Sequence, residues 1–146
     1  MPLSYRFAFA NRVVYGHSEG ENPERFYLTG FHGVRGFDDS NHRGSKKAMT
    51  SLELRYPFID RLNLSFPLPI SFTNLRGSIF TDLGAVWDAQ DFRGAKDGAL
   101  HDIKLGFGFG PRLNVGFFIL KLDMAWSSDL SNHSKPSFFF TINEDF

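Results

Sequence analysis

Arg35, within Val34-Arg35-Gly36-Phe37, is the side chain best equipped for a specific interaction, and two later segments carry groups that suit it. Glu53-Leu54-Arg55-Tyr56-Pro57 supplies one carboxylate. Phe80-Thr81-Asp82-Leu83-Gly84-Ala85-Val86-Trp87 supplies a second, with an aromatic ring two residues away. A guanidinium is a planar fork of five donors that can bridge two carboxylates. The chemistry on offer is therefore a charged clamp, and Gly33 and Gly36 free the backbone on either side of it. Alone, a loop arginine reads as a surface contact; the two downstream segments reverse that reading.

The other polar groupings carry less. Asp38, Asp39 and Asn41 lack the glycine and distal glutamate of a calcium loop and read as a solvated loop. His17, His32, His42, His101 and His133 fall mostly in loops without ligand spacing, so no metal site is expected. Gly106-Phe107-Gly108-Phe109-Gly110 reads as a strand whose glycines face a crowded interior rather than as a phosphate loop. No carboxylate is paired with a nucleophile or a base. Neither catalytic residues nor a cofactor are expected, and the chain does not read as an enzyme.

The elements that must hold these groups follow a period of two, the period of strands. Six strands are predicted: Leu3–Gly16, Ala48–Phe58, Asn74–Trp87, a fourth from about Asp102 to Gly110, a fifth from about Phe118 to Ser127, and Ser137–Phe146. A loop of roughly 30 residues, His17–Lys47, is far longer than the usual 4–6 and marks a functional or disordered segment. Pro67 and Pro69 make Ile59–Thr73 an extended excursion outside the strands, and Pro111 with Asn114-Val115-Gly116 reads as a turn region. The polar segments Asp88–Ala99 and Ser128–Pro136 are loops.

Sixteen basic and sixteen acidic residues cancel, so nothing favours nucleic acid as a partner. Zero cysteines exclude a disulfide scaffold. Eighteen phenylalanines and fourteen glycines suit a β architecture, and no run approaches the length of about 18 apolar residues that a spanning helix needs. One strand face is apolar almost throughout. The other collects Arg6, Arg12, Glu53, Arg55, Arg76, Asp82, Asp102, Lys104, Lys121 and Asp123. That pattern fits a soluble sandwich with its apolar face hidden, or a membrane barrel with its apolar face in lipid.

The motifs narrow the choice. Phe26-Tyr27-Leu28-Thr29-Gly30 leading into Val34-Arg35-Gly36-Phe37, then Glu53-Leu54-Arg55-Tyr56-Pro57, Phe80 to Asp88 and the terminal Phe146 together resemble, in order, the BamA/TamA-type outer-membrane assembly family, the bacterial surface antigen family. The resemblance implies an all-β fold: an antiparallel transmembrane β-barrel of sixteen strands, preceded by periplasmic POTRA domains. Its long loop folds into the lumen and docks on the wall. Residues 1–146 would then be the C-terminal portion of that barrel, about its last six strands, with the POTRA domains and opening strands absent. The missing leader segment at Met1 fits the same expectation.

By the resemblance, Val34, Arg35, Gly36 and Phe37 form the lumen-loop motif, with Glu53, Phe80 and Asp82 as the docking wall. Phe138, Phe140, Ile142 and Phe146 form a C-terminal strand signal, from which Glu144 departs by being charged. Thr29 replaces the first glycine of the usual pair. The implied setting is the bacterial outer membrane. The implied partners are unfolded outer-membrane protein clients, accessory periplasmic or lipoprotein factors, and the lipid bilayer, engaged through a lateral gate. A barrel serving as membrane anchor or secretion pore for a fused upstream domain, of patatin-like or two-partner-secretion type, is the alternative.

Overall fold

The computed structural model of the chain describes residues 7–29, 33–38, 42–65, 70–88, 92, 95–96, 99–100, 102–115, 118–130 and 132–144. Every regular element among them is a strand: β1 (Ala8–His17), β2 (Phe26–Tyr27), β3 (Arg43–Gly44), β4 (Lys46–Leu64), β5 (Ile70–Trp87), β6 (Ala95–Lys96), β7 (Ala99–Leu100), β8 (Ile103–Val115), β9 (Phe118–Ser128) and β10 (Ser137–Glu144). Six of them form one antiparallel sheet in the order β1-β4-β5-β8-β9-β10. The long strands follow one another in chain order, the up-and-down connection of a membrane barrel. β2 pairs with β3 and β6 with β7 as separate two-stranded ribbons.

Alternation sorts the side chains cleanly. Phe9, Val13, Leu54, Ile79, Leu83, Phe107, Phe109, Leu122, Phe138 and Phe140 all lie exposed on one face. The register agrees, since Phe9 pairs with Leu54, Leu54 with Ile79, Ile79 with Phe109, and Leu122 with Phe140. Trp126 stacks beside Phe107 on the same side, with centroids 6.0 Å apart. The polar face is the covered one. Leu28, Val34 and Val86 form a small buried core there, with Phe26 and Phe37 packed against it. A soluble sandwich would bury the apolar face, whereas here Phe138 stands 78% exposed. Apolar outside and charged inside is the wall of a transmembrane β-barrel, and six strands form an unclosed portion of one.

Two expectations are corrected. The segment expected to leave the sheet, 59–73, instead extends the β4–β5 hairpin: Arg61 pairs with Thr73, Leu62 with Phe72 and Leu64 with Ile70. Pro57 is accommodated because the register shifts beside it, between Pro57 and Ile59, leaving Phe58 as an extra residue. Pro111 likewise lies inside β8, opposite Gly77 of β5. Pairing of β8 with β9 skips Gly110 and Pro111 and resumes at Arg112, so the missing N–H breaks the ladder only locally. Residues 66–69, with the two prolines of the hairpin tip, lie outside the described residues, as do the predicted start of the first strand at 3–6 and Phe146.

Candidate functional site

The register of three strands builds the site. Opposite partners in an antiparallel sheet share a face, and Ser51 lies opposite Asp82, itself opposite Gly106. One step along, Glu53 faces Phe80 and Phe80 faces Gly108. A polar wall therefore runs beside a row of glycines, and the loop lies along that row. A Cβ on Gly84 would stand 2.7 Å from Val34 Cγ2, and one on Gly106 2.8 Å from Val34 Cγ1. On Gly108 it would meet the Phe80 ring at 2.6 Å. Gly84 of β5 and Gly106 of β8 make room for the loop, and Gly108 of β8 makes room for the aromatic ring.

The loop is held as a turn. Val34 N donates to Leu28 O at 2.7 Å, and Phe37 N donates to Val34 O at 3.1 Å. Arg35 and Gly36 are the central pair of that turn, and Gly36 has φ of 87°, the conformation glycine supplies in a type II turn. Gly36 also lies against the Trp126–Ser127 backbone, where a Cβ would sit 2.8 Å from Ser127 N.

Arg35 points into the wall and uses all five of its side-chain donors. Nε donates to Asp82 Oδ2 at 2.7 Å and Nη2 to Asp82 Oδ1 at 2.8 Å, a bidentate pair. Nη2 also donates to Ser51 Oγ at 3.2 Å, while Nη1 divides between Glu53 Oε2 at 3.3 Å and Asp123 Oδ2 at 3.2 Å. Its backbone N donates to Asp82 Oδ2 at 3.1 Å, and the Ser51 hydroxyl donates to Asp82 Oδ1 at 2.5 Å. The guanidinium carbon lies 3.4 Å from the Phe80 ring centroid, a cation–π contact. Arg35 is 8% exposed and Asp82 fully buried. Burial works against the charged guanidinium, but the hydrogen bond and charge of Asp82, with Asp123 and Glu53, outweigh it and raise the pKa.

Two more arginines complete the cluster. Arg112 bonds Asp123 through both Nη atoms and reaches Glu53 Oε2 at 3.3 Å, and Arg55 Nε donates to Glu53 Oε1 at 2.8 Å. Three guanidiniums and three carboxylates thus interlock across β4, β5, β8, β9 and the loop. At the loop's base, Ser18 N donates to Ser45 O at 2.9 Å, and Arg25 pairs with Asp88, which also accepts from Ser45 N at 3.0 Å. Those bonds hold Asp88 below the usual carboxylate range, the Arg25 hydrogen bond contributing most.

The structure brings Val34, Arg35, Gly36, Glu53, Phe80 and Asp82 to one place. Phe37 lies beside them between His42, 5.7 Å away ring to ring, and Lys104, 5.5 Å from its centroid. Phe138, Phe140 and Ile142 lie on the opposite, outer face of β10. Ser51, Arg112 and Asp123 were not assigned to the clamp from sequence. Asp123 was visible on the polar face of its strand, whereas Arg112 was hidden by reading Pro111 as a strand end. Period two counted through that proline from Lys104 and Gly106 reaches it.

The model of the Omp85 superfamily domain matches residues 1–146. No curated protein and no solved structure matches the chain.

Proposed function

Since the chain belongs to the Omp85 superfamily, whose members are non-enzymatic outer-membrane β-barrels of insertion or secretion type, we propose that it serves the insertion branch. In this reading residues 1–146 are the C-terminal part of a longer barrel in a bacterial outer membrane. Unfolded outer-membrane proteins are its clients, delivered with accessory periplasmic or lipoprotein factors. The observation that carries the reading is the Arg35 clamp, which ties β4, β5, β8 and β9 together and leaves the terminal strand β10 outside it, as it leaves β1; among the described residues each of these two is joined to one neighbour.

An edge in lipid must find a partner, because unpaired N–H and C=O groups have no water to bond. An incoming strand that pairs with β10 meets that demand with main-chain hydrogen bonds, a β-augmentation, and places its own apolar residues beside Phe138 and Phe140. The loop's role is to keep the neighbouring wall in shape while the edge exchanges partners. The full-length protein reconstituted in liposomes tests this: it should speed the insertion of a urea-unfolded barrel client above the rate in empty liposomes. Unchanged client insertion, with passage of a soluble unfolded passenger into the vesicle, would assign the barrel to secretion instead.

A further inference from the structure

The ladder between β5 and β8 runs without a break from Arg76 to Ala85, and the one between β9 and β10 from Ser137 to Glu144. The seam between β8 and β9 differs. It pairs Phe109 with Met124 and Arg112 with Lys121, and takes neither Gly110 nor Pro111 into the ladder between them. The Leu122 carbonyl points at β8 there, where a Cβ on Gly110 would collide with it. The N–H that would meet this carbonyl in a continuous ladder is that of residue 111, which proline lacks. Within a bilayer such a gap is costly, because no water replaces the lost bond. Two further features lie at the same level. On the outer face a groove of 370 Å³ crosses β8, β9 and β10, lined mainly by Phe109, Pro111, Leu122, Met124, Phe138 and Phe140. On the inner face Asp123 accepts from Arg112 of β8 and from Arg35 of the loop. The seam thus has a missing main-chain bond, open space outside and a side-chain tie inside.

We infer that this seam is the crease on which the β9–β10 hairpin turns outward when β10 changes partner, with Asp123 as the latch that holds it closed; the inference rests on the strand-exchange reading above. An outward turn brings the outer side chains of β8 and β9 together, and the groove gives them room. The gap leaves two short stretches of ladder to bend in place of one continuous run. The same motion draws Asp123 away from Arg112 and Arg35. Neither arginine is stranded, since Arg35 keeps its bidentate pair with Asp82 and Arg112 keeps Glu53. The loop therefore stays docked while the hairpin moves, and closure returns Asp123 to both donors.

The test uses the full-length protein in liposomes and two variants outside the clamp. Pro111→Val restores the N–H opposite Leu122. Met124→Trp fills the groove and leaves the ladder alone, and serves if the first variant fails to fold. Pro111→Val should raise the urea midpoint yet slow client insertion by roughly two- to tenfold, the effect of one hydrogen bond on a step that must strain it. Met124→Trp should slow insertion without that gain in stability. Spin labels on Leu54→Cys of β4 and Ile142→Cys of β10, with any cysteine outside residues 1–146 replaced, read the motion directly. A client stalled during insertion should shift their separation in wild type and leave it near the resting value in both variants. A wild type that does not accelerate the client removes the strand-exchange reading and the crease with it. A wild type that does, with folded variants that insert as fast and shift as far, overturns the crease alone.

Discussion

Replacing Arg35 by alanine should be among the most damaging single changes in this wall. Asp82 is fully buried, and its one cationic partner among the described residues is Arg35. Removal leaves a buried carboxylate with the Ser51 hydroxyl as its remaining side-chain donor. Breaking a buried ion pair from one side costs about 3–5 kcal/mol, against about 0–1 kcal/mol for an exposed pair. Asp82→Asn should cost less, because Arg35 keeps Glu53 and Asp123. Arg35→Ala combined with Asp82→Asn should then recover part of the loss, giving a coupling of about 2 kcal/mol for groups in direct contact. Urea titration of the full-length protein in lipid vesicles, followed by tryptophan fluorescence, measures all four corners of the cycle. Coupling below about 0.5 kcal/mol would refute the reasoning and return Arg35 to an ordinary loop contact.

Gly36→Ala tests the loop backbone, because a φ of 87° and the nearby Ser127 N both oppose a Cβ. It should undock the turn and expose residues 18–45 to limited proteolysis while the β-sheet signal of the barrel persists. The Arg25–Asp88 tie should respond to acid. A carboxylate whose folded pKa is depressed contributes stability above its unfolded value of about 3.9, and that contribution is lost as pH falls through the folded value. The loop base should therefore be cleaved faster below about pH 4 in the wild type, with a smaller change in Arg25→Gln. Arg35 gives no counterpart at high pH. Its raised pKa keeps its contribution present below the unfolded value, so it stays charged over the working range. Hydrogen exchange should protect the β5 and β8 amides facing the clamp more than those of β10, which among the described residues pairs with β9 alone.

Much of this was legible beforehand, for a physical reason. Period two fixes which residues share a face, so Glu53, Phe80 and Asp82 were on one side before any register was known. The ordered motifs then tied the loop to that side. What failed was the treatment of proline as a strand terminus. Pro57 is absorbed by a register shift and Pro111 by a local gap in one ladder, and both depend on the partner strands rather than on the residue itself. That error concealed Arg112 and shortened the β4–β5 hairpin. The link from Arg35 to Asp123 was out of reach for another reason: 88 residues separate them, and only the pairing of β8 with β9 brings the second wall close.

The central claim is that β10 is the exchanging edge. Residues 1–146 contain no cysteine, so in the full-length protein, with any cysteine outside them replaced, Thr141→Cys on β10 gives a single thiol, to be paired with cysteines stepped along the terminal strand of a client during its assembly. The account predicts disulfide-linked client at alternate positions, in the register of an added strand, with Leu122→Cys on β9 giving none. Equal capture at both sites, or capture at neither while the client still inserts, would contradict it.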